Sequence, residues 1–384
     1  MIMTGFFFDL VHALSGRTKF FLATASLAAA AVSCDKIGVG DPDGNIPSVQ
    51  SEVTGFYVLN EGTMGMNNAS LDFVNLRTGE YVNDWFSLQN PEMSLELGDV
   101  GNDILIAGDY LIIVLNGSGL LEIADALTAR HIAEVPVPDC RYVIENDGYL
   151  YVTSYAEGGS LYKVSTEDFS MVSRIGVGHD PEQLHFHDGF IYVLNSGGLQ
   201  YDPATGTTAY EQTVSVVDAG TFEVIRTDDT GYRNLYKVIC AGDVEYMTSR
   251  GDYGADPGAV FSYDRGTGKT ALISSVPVSN WCSHGGTVYT QSTTYDTAWN
   301  PVMSFGKISD GEYSEEDFLD MSGVGISSCY GLDINPSTGD FVLTDAGDYT
   351  TPGTVHYFHA DGSLVWSHTA GVCPSRIAWV YGAE

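Results

Sequence analysis

The chain has 384 residues, with 16 Lys+Arg against 50 Asp+Glu and a formal charge of −34. That balance excludes a nucleic-acid-binding protein, which needs a basic face to neutralise phosphates, and it gives the globular part no cationic surface for anionic lipid. With 44% hydrophobic, 12% aromatic and 17% charged residues, the chain carries enough apolar surface for a large core, so disorder is excluded as well.

In chain order, the first element is an address. Arg17 and Lys19 precede an apolar, Ala-rich run from Phe20 to Val32, the charged and hydrophobic regions of a secretory signal, and the run is short for a membrane span. It ends in Ala31-Val32-Ser33-Cys34, which resembles a bacterial lipoprotein signal. Residues 1–33 are therefore expected to be removed, leaving Cys34 lipidated as the attachment to the membrane. Their removal takes away Arg17, Lys19 and Asp9 and moves the charge from −34 to −35. Residues 34–51 hold Gly, Pro and Asp without periodicity and read as a flexible tether. Residues 52–384 are expected to fold.

The folded part is repetitive. A turn Gly followed by an apolar, Tyr-rich strand recurs at Gly55, Gly108, Gly148, Gly189, Gly242, Gly286 and Gly339, at spacings of 53, 40, 41, 53, 44 and 53 residues. Each anchor is followed by further short strands, as in Val214–Asp218 and Glu223–Arg226, with no long helical pattern. Seven repeats of four short strands predict an all-β fold, a seven-bladed β-propeller of four-stranded antiparallel blades. The segment Cys373–Val380 reads like the first strand of a blade, as Asp180–His187 does, and the first repeat lacks that strand. The last strand is therefore expected to complete the first blade.

Strand order assigns the loops to faces. The turn before each anchored strand and the third connection of each blade are mostly short and share one face. The other connections are long and share the opposite face: residues 60–68, 154–159, 195–212, 249–257, 292–301 and 345–352 within blades, and 89–99, 137–141, 178–183, 228–237, 279–284 and 325–330 between them. Long loops cost ordering entropy and often carry function. Candidate ligand-binding residues on that face are Arg141, Tyr155, Gln183, Tyr201, Arg250, Tyr253, Trp281, Tyr295, Trp299, Tyr330, Asp348, Tyr349 and Arg376. Tyr and Trp supply broad contact area with a hydrogen-bonding tip. The acids among them, including Asp180, Glu182, Asp252 and Asp256, predict a face that favours neutral or cationic ligands.

The chain has no G-x-S-x-G, H-E-x-x-H or P-loop motif. His185 and His187 share a strand face and could join Glu182 around a metal, but an ordinary polar strand face explains them equally, and no metal site is assigned. Five cysteines remain after Cys34. They read as small buried hydrophobes, with a disulfide among Cys282, Cys329 and Cys373 as the other reading.

The D-G hairpins, the Val216-Val-Asp-Ala-Gly-Thr-Phe222 turn and the openings Phe56–Gly62 and Asn67–Asp72 resemble the YncE-like propeller family over roughly residues 55–381. With the lipoprotein signal, they resemble its surface-lipoprotein branch found beside outer-membrane transporters. The resemblance implies a lipid-anchored protein of the outer membrane, exposed at the cell surface; with the catalytic motifs missing and its loop acids read as solvated, the chain is not expected to be an enzyme. The resemblance further implies capture of cobalamin or another corrinoid and its transfer to a TonB-dependent transporter. The alternatives are a protein- or glycan-binding propeller without a transport role and a secreted hydrolase or lactonase.

Overall fold

The computed structural model describes residues 52–93, 97–297 and 301–382. The expected signal, Cys34 and the tether lie outside the described residues, as does Trp299.

Seven four-stranded antiparallel sheets follow one another around a ring. Six are built from consecutive chain, and their innermost strands are Gly101–Ala107, Cys140–Asn146, Pro181–His187, Leu235–Ala241, Asn280–His284 and Cys329–Ile334. The remaining sheet, the first blade, joins the two ends of the chain. Its innermost strand, Pro374–Tyr381, pairs antiparallel with Val53–Asn60 and sets Trp379 opposite Phe56 and Ile377 opposite Val58. Each innermost strand contacts the next, and the seventh blade contacts the first, so the ring is closed. The last strand completes the first blade, as its sequence predicts.

Most of the anchored strands are nearly continuous apolar runs because they are buried on both faces, although those of the fifth and sixth blades carry buried polar residues such as Glu245 and Gln291. Along Tyr110–Leu115, side chains alternate between neighbours. Leu111, Ile113 and Leu115 pack with Tyr57 and Leu59 of the first blade, and Ile112 and Val114 pack with Leu150 and Val152 of the third. In the first blade, Phe56 and Val58 likewise turn to Val342 and Val355 of the seventh. Six of the anchor glycines stand in the turn before such a strand with φ between +59° and +84°. Gly55 differs: it lies inside a strand, where a Cβ would come within 2.5 Å of the Val74 carbonyl oxygen.

Two short insertions interrupt the pattern. A five-residue helix, Trp85–Gln89, buries Phe86 against the core between the first and second blades. A hairpin, Tyr201–Asp202 with Thr207–Thr208, projects from the segment that the sequence marks only as a long loop. Cys140, Cys240, Cys282, Cys329 and Cys373 are all free, so the disulfide reading is replaced by single thiols. Among the described residues, no helix is long and apolar enough to cross a membrane.

Candidate ligand-binding face

Every innermost strand begins at the face with the long loops. In most blades its pairing with the second strand slips there, between Gly101 and Asp103, Cys140 and Val143, Pro181 and Leu184, Leu235 and Val238, and Cys329 and Gly331. A bulge re-aims side chains out of the ladder. The residues so placed are Asn102-Asp103, Arg141-Tyr142, Glu182-Gln183 and Tyr236-Lys237, and Ser375-Arg376 begins the closing strand in the same way.

These residues meet across the axis. Glu182 is the hub: its carboxylate accepts hydrogen bonds from the Tyr155 hydroxyl at 2.6 Å and Arg141 Nη2 at 3.2 Å, and it pairs with Arg250 Nη1 at 3.6 Å. Arg141 Nη1 also donates to Asn102 Oδ1 at 2.6 Å. Arg376 is only 1% exposed. Its Nε donates to the Asn102 carbonyl at 3.0 Å, its Nη2 donates to the Tyr142 hydroxyl at 3.2 Å, and Asp103 lies at 3.8 Å. The Arg250 guanidinium lies over the Tyr236 ring. Tyr330 donates to Glu61 at 2.6 Å.

The electrostatics of this centre follow from burial. Asp103 is pushed up to about 6 by desolvation, against the pull of Arg376. Burial also raises Glu61, offset in part by the Tyr330 hydrogen bond and by Arg141 and Arg376. Lys237 is wholly buried, and desolvation with the nearby Arg376 and Arg250 holds its ammonium well below the ordinary lysine range. Arg141 Nε and Arg376 Nη1 are buried donors without an acceptor, the arrangement expected of a centre able to receive one.

The centre of the face thus sets the guanidinium groups of Arg141, Arg250 and Arg376 against the carboxylates of Glu61, Asp103 and Glu182. The loop acids are spent on their own turns. Asp348 accepts from the backbone and hydroxyls of Thr350 and Thr351, and Asp252 accepts from the amides of Gly254 and Asp256. Asp180 holds Leu199 and Gln200.

Around this centre stands a rim of tyrosines: Tyr201, Tyr253, Tyr295 and Tyr349, from 37% to 62% exposed. Tyr253 and Tyr349 have left-handed backbone, with φ of +55° and +64°. An aromatic residue adopts that region at a cost, and such residues gather at functional surfaces. Tyr253 meets Tyr210 edge-on, and Tyr349 meets Tyr330, which ties the rim to the centre.

Of the sequence candidates, Arg141, Tyr155, Arg250, Tyr330 and Arg376 fall in the centre, and Tyr201, Tyr253, Tyr295 and Tyr349 on the rim. Asp348 serves its own loop. Gln183 is buried and accepts from the Val238 amide at 3.0 Å, bridging the fourth and fifth blades. Trp281 is corrected outright. The sixth blade pairs without a slip from Asn280–Gln291 to His284–Thr287, so Trp281 stays in the ladder and packs with Ile239, Val260 and Val288 in the core, fully buried. Sequence reading missed Glu61, Asp103, Tyr142, Tyr236 and Lys237. For all but Glu61, which follows the anchored strand Val53–Asn60, the signal is a pair of polar or tyrosyl residues immediately before the apolar run of the first strand. Glu182 does not approach His185 and His187 as a metal partner, because it is engaged at the axis.

No known family matches the chain, and no curated protein resembles it in sequence. Solved structures do share its fold. It is similar to the Kuenenia stuttgartiensis hydrazine synthase, at 16% identity over 71% of this chain and 87% of that chain, TM-score 0.57. It is similar to a quinonprotein alcohol dehydrogenase-like protein from Bacteroides thetaiotaomicron, at 14% identity over 85% of this chain and 78% of that one, TM-score 0.56. The dihydro-heme d1 dehydrogenase NirN, in complex with DHE, is 12% identical over 87% of this chain and 77% of that one, TM-score 0.50.

The chain is a seven-bladed β-propeller.

At such identities the likeness is one of fold. It nevertheless overturns the expectation that the chain is not an enzyme. Two of these similar structures are named as a synthase and a dehydrogenase, which removes the missing hydrolase motifs as a ground for that expectation.

Proposed function

We propose that this propeller is a surface lipoprotein whose loop-bearing face binds cobalamin or another corrinoid and passes it to a TonB-dependent outer-membrane transporter. The observation that carries the reading is the concentric arrangement of that face: exposed tyrosines around the half-buried Arg141 and Arg250 and the buried Arg376. A corrinoid presents a broad macrocycle with apolar edges, many amide groups and, in cobalamin, one phosphodiester. Tyrosines match the first two, and guanidinium groups match the third. The apolar run ending at Cys34 supports a lipid anchor, and the family resemblance supports the transporter.

Calorimetric titration with cobalamin tests the ligand, and saturable binding at micromolar concentration is the expected result. Alanine at Tyr253, Tyr295 and Tyr349 together should weaken it at least tenfold with the fold intact by circular dichroism. Cobinamide, which lacks the nucleotide phosphodiester, should bind more weakly than cobalamin. Absence of saturable binding to both would sink the corrinoid reading.

A further inference from the structure

We propose that His185, Cys240 and Glu245 form a zinc-binding site between the fourth and fifth blades, at the end of the ring away from the loop-bearing face. Cys240 and Glu245 stand directly opposite one another in the two inner strands of the fifth blade, so their side chains share a face. That face looks onto the fourth blade, whose innermost strand presents His185 near the same end.

The ligand atoms have the right separations. A tetrahedral zinc bound to imidazole, thiolate and carboxylate requires donor–donor edges of about 3.3–3.6 Å. His185 Nδ1 lies 3.7 Å from Cys240 Sγ and 3.5 Å from Glu245 Oε2. The three donor atoms all fall within 4.8 Å of one another. The mixed nitrogen, sulfur and oxygen set is one that zinc accepts, and the half-buried Cys240 opens the cluster toward solvent.

A second, independent observation points to a cation. Glu245 is 1% exposed, and both of its carboxylate oxygens are buried without a hydrogen-bond donor. A buried carboxylate in that condition calls for a compensating charge. Arg265 Nε stands 3.8 Å from Oε2, beyond hydrogen-bond reach, and its Nη2 is turned to the Asp243 carbonyl. A metal held by the Glu245 carboxylate would complete that compensation, and the Cys240 thiol would release its proton on binding. Because the ligands come from adjacent blades, the ion would act as a cross-blade staple. The site is remote from the loop-bearing face, so it stands or falls separately from the corrinoid reading.

The test is metal titration of the chelator-treated full chain. Zinc should bind with one ion per chain, and cobalt(II), as a spectroscopic probe, should give the thiolate-to-metal charge-transfer band of a Cys-ligated tetrahedral site. Cys240→Ser should abolish that band, and Glu245→Gln should weaken zinc at least tenfold. Zinc should raise the unfolding temperature of the parent chain and leave that of Cys240→Ser unchanged. Absence of the cobalt band in the parent chain, or zinc binding equally tight in Cys240→Ser and Glu245→Gln with both folded by circular dichroism, would overturn the site.

Discussion

Arg376 joins the closing strand to the second and third blades through the Asn102 carbonyl, Asp103 and the Tyr142 hydroxyl. Removing one member of a buried ion pair strands the other, at about 3–5 kcal/mol. Arg376→Met is therefore expected to lower stability by about that amount, read from urea unfolding. Glu122 gives a pH signature elsewhere. Burial pushes its carboxyl up to about 7 from 4.5, partly offset by its hydrogen bond with His131. Between those values the folded state binds more protons than the unfolded one, so this group's contribution is full at low pH and is lost as pH rises toward about 7. The urea midpoint of the parent chain should fall across that window relative to Glu122→Gln, and parallel pH profiles would refute the assignment.

At the scale of single elements, the anchored strands were readable because their information is local: in six of the seven a turn glycine, then a mostly apolar run. Leu111→Ala opens a cavity in the core shared by the first and second blades and should cost about 2–5 kcal/mol by chemical denaturation. The loop bearing Tyr253 depends on Gly258, which has φ of +91° and packs against the Ser249 and Arg250 backbone. Gly258→Ala should destabilise the chain by about 1–3 kcal/mol, seen as a lower urea midpoint. The rim tyrosines were also legible, since loop tips follow from strand order. The centre was legible only in part. Arg141 and Arg376 were named from the loop face they share, but Lys237 and Asp103 reach the axis through bulges, which the sequence marks only by a polar or tyrosyl pair at the head of the first strand. Trp281 failed for the converse reason: its blade has no slip, so the same position points into the core.

For the whole molecule, closure rests on one strand. The pairing of Pro374–Tyr381 with Val53–Asn60 supplies the first blade with its innermost member and the ring with its seam. A chain ending at Cys373 should lose cooperative unfolding, with exposed dye-binding apolar surface, and should regain it when a peptide spanning the last strand is added. The seam also sets a schedule. Ser375 donates its hydroxyl to the Leu59 carbonyl across 316 positions of sequence. Bringing such distant segments together costs about 5 kcal/mol of loop-closure entropy, returned only when the pairing forms. Intermediate blades can assemble as they emerge from the ribosome, but the ring has no means of locking until Pro374–Tyr381 has been made. The nascent chain therefore stays open, and threadable, until that strand emerges.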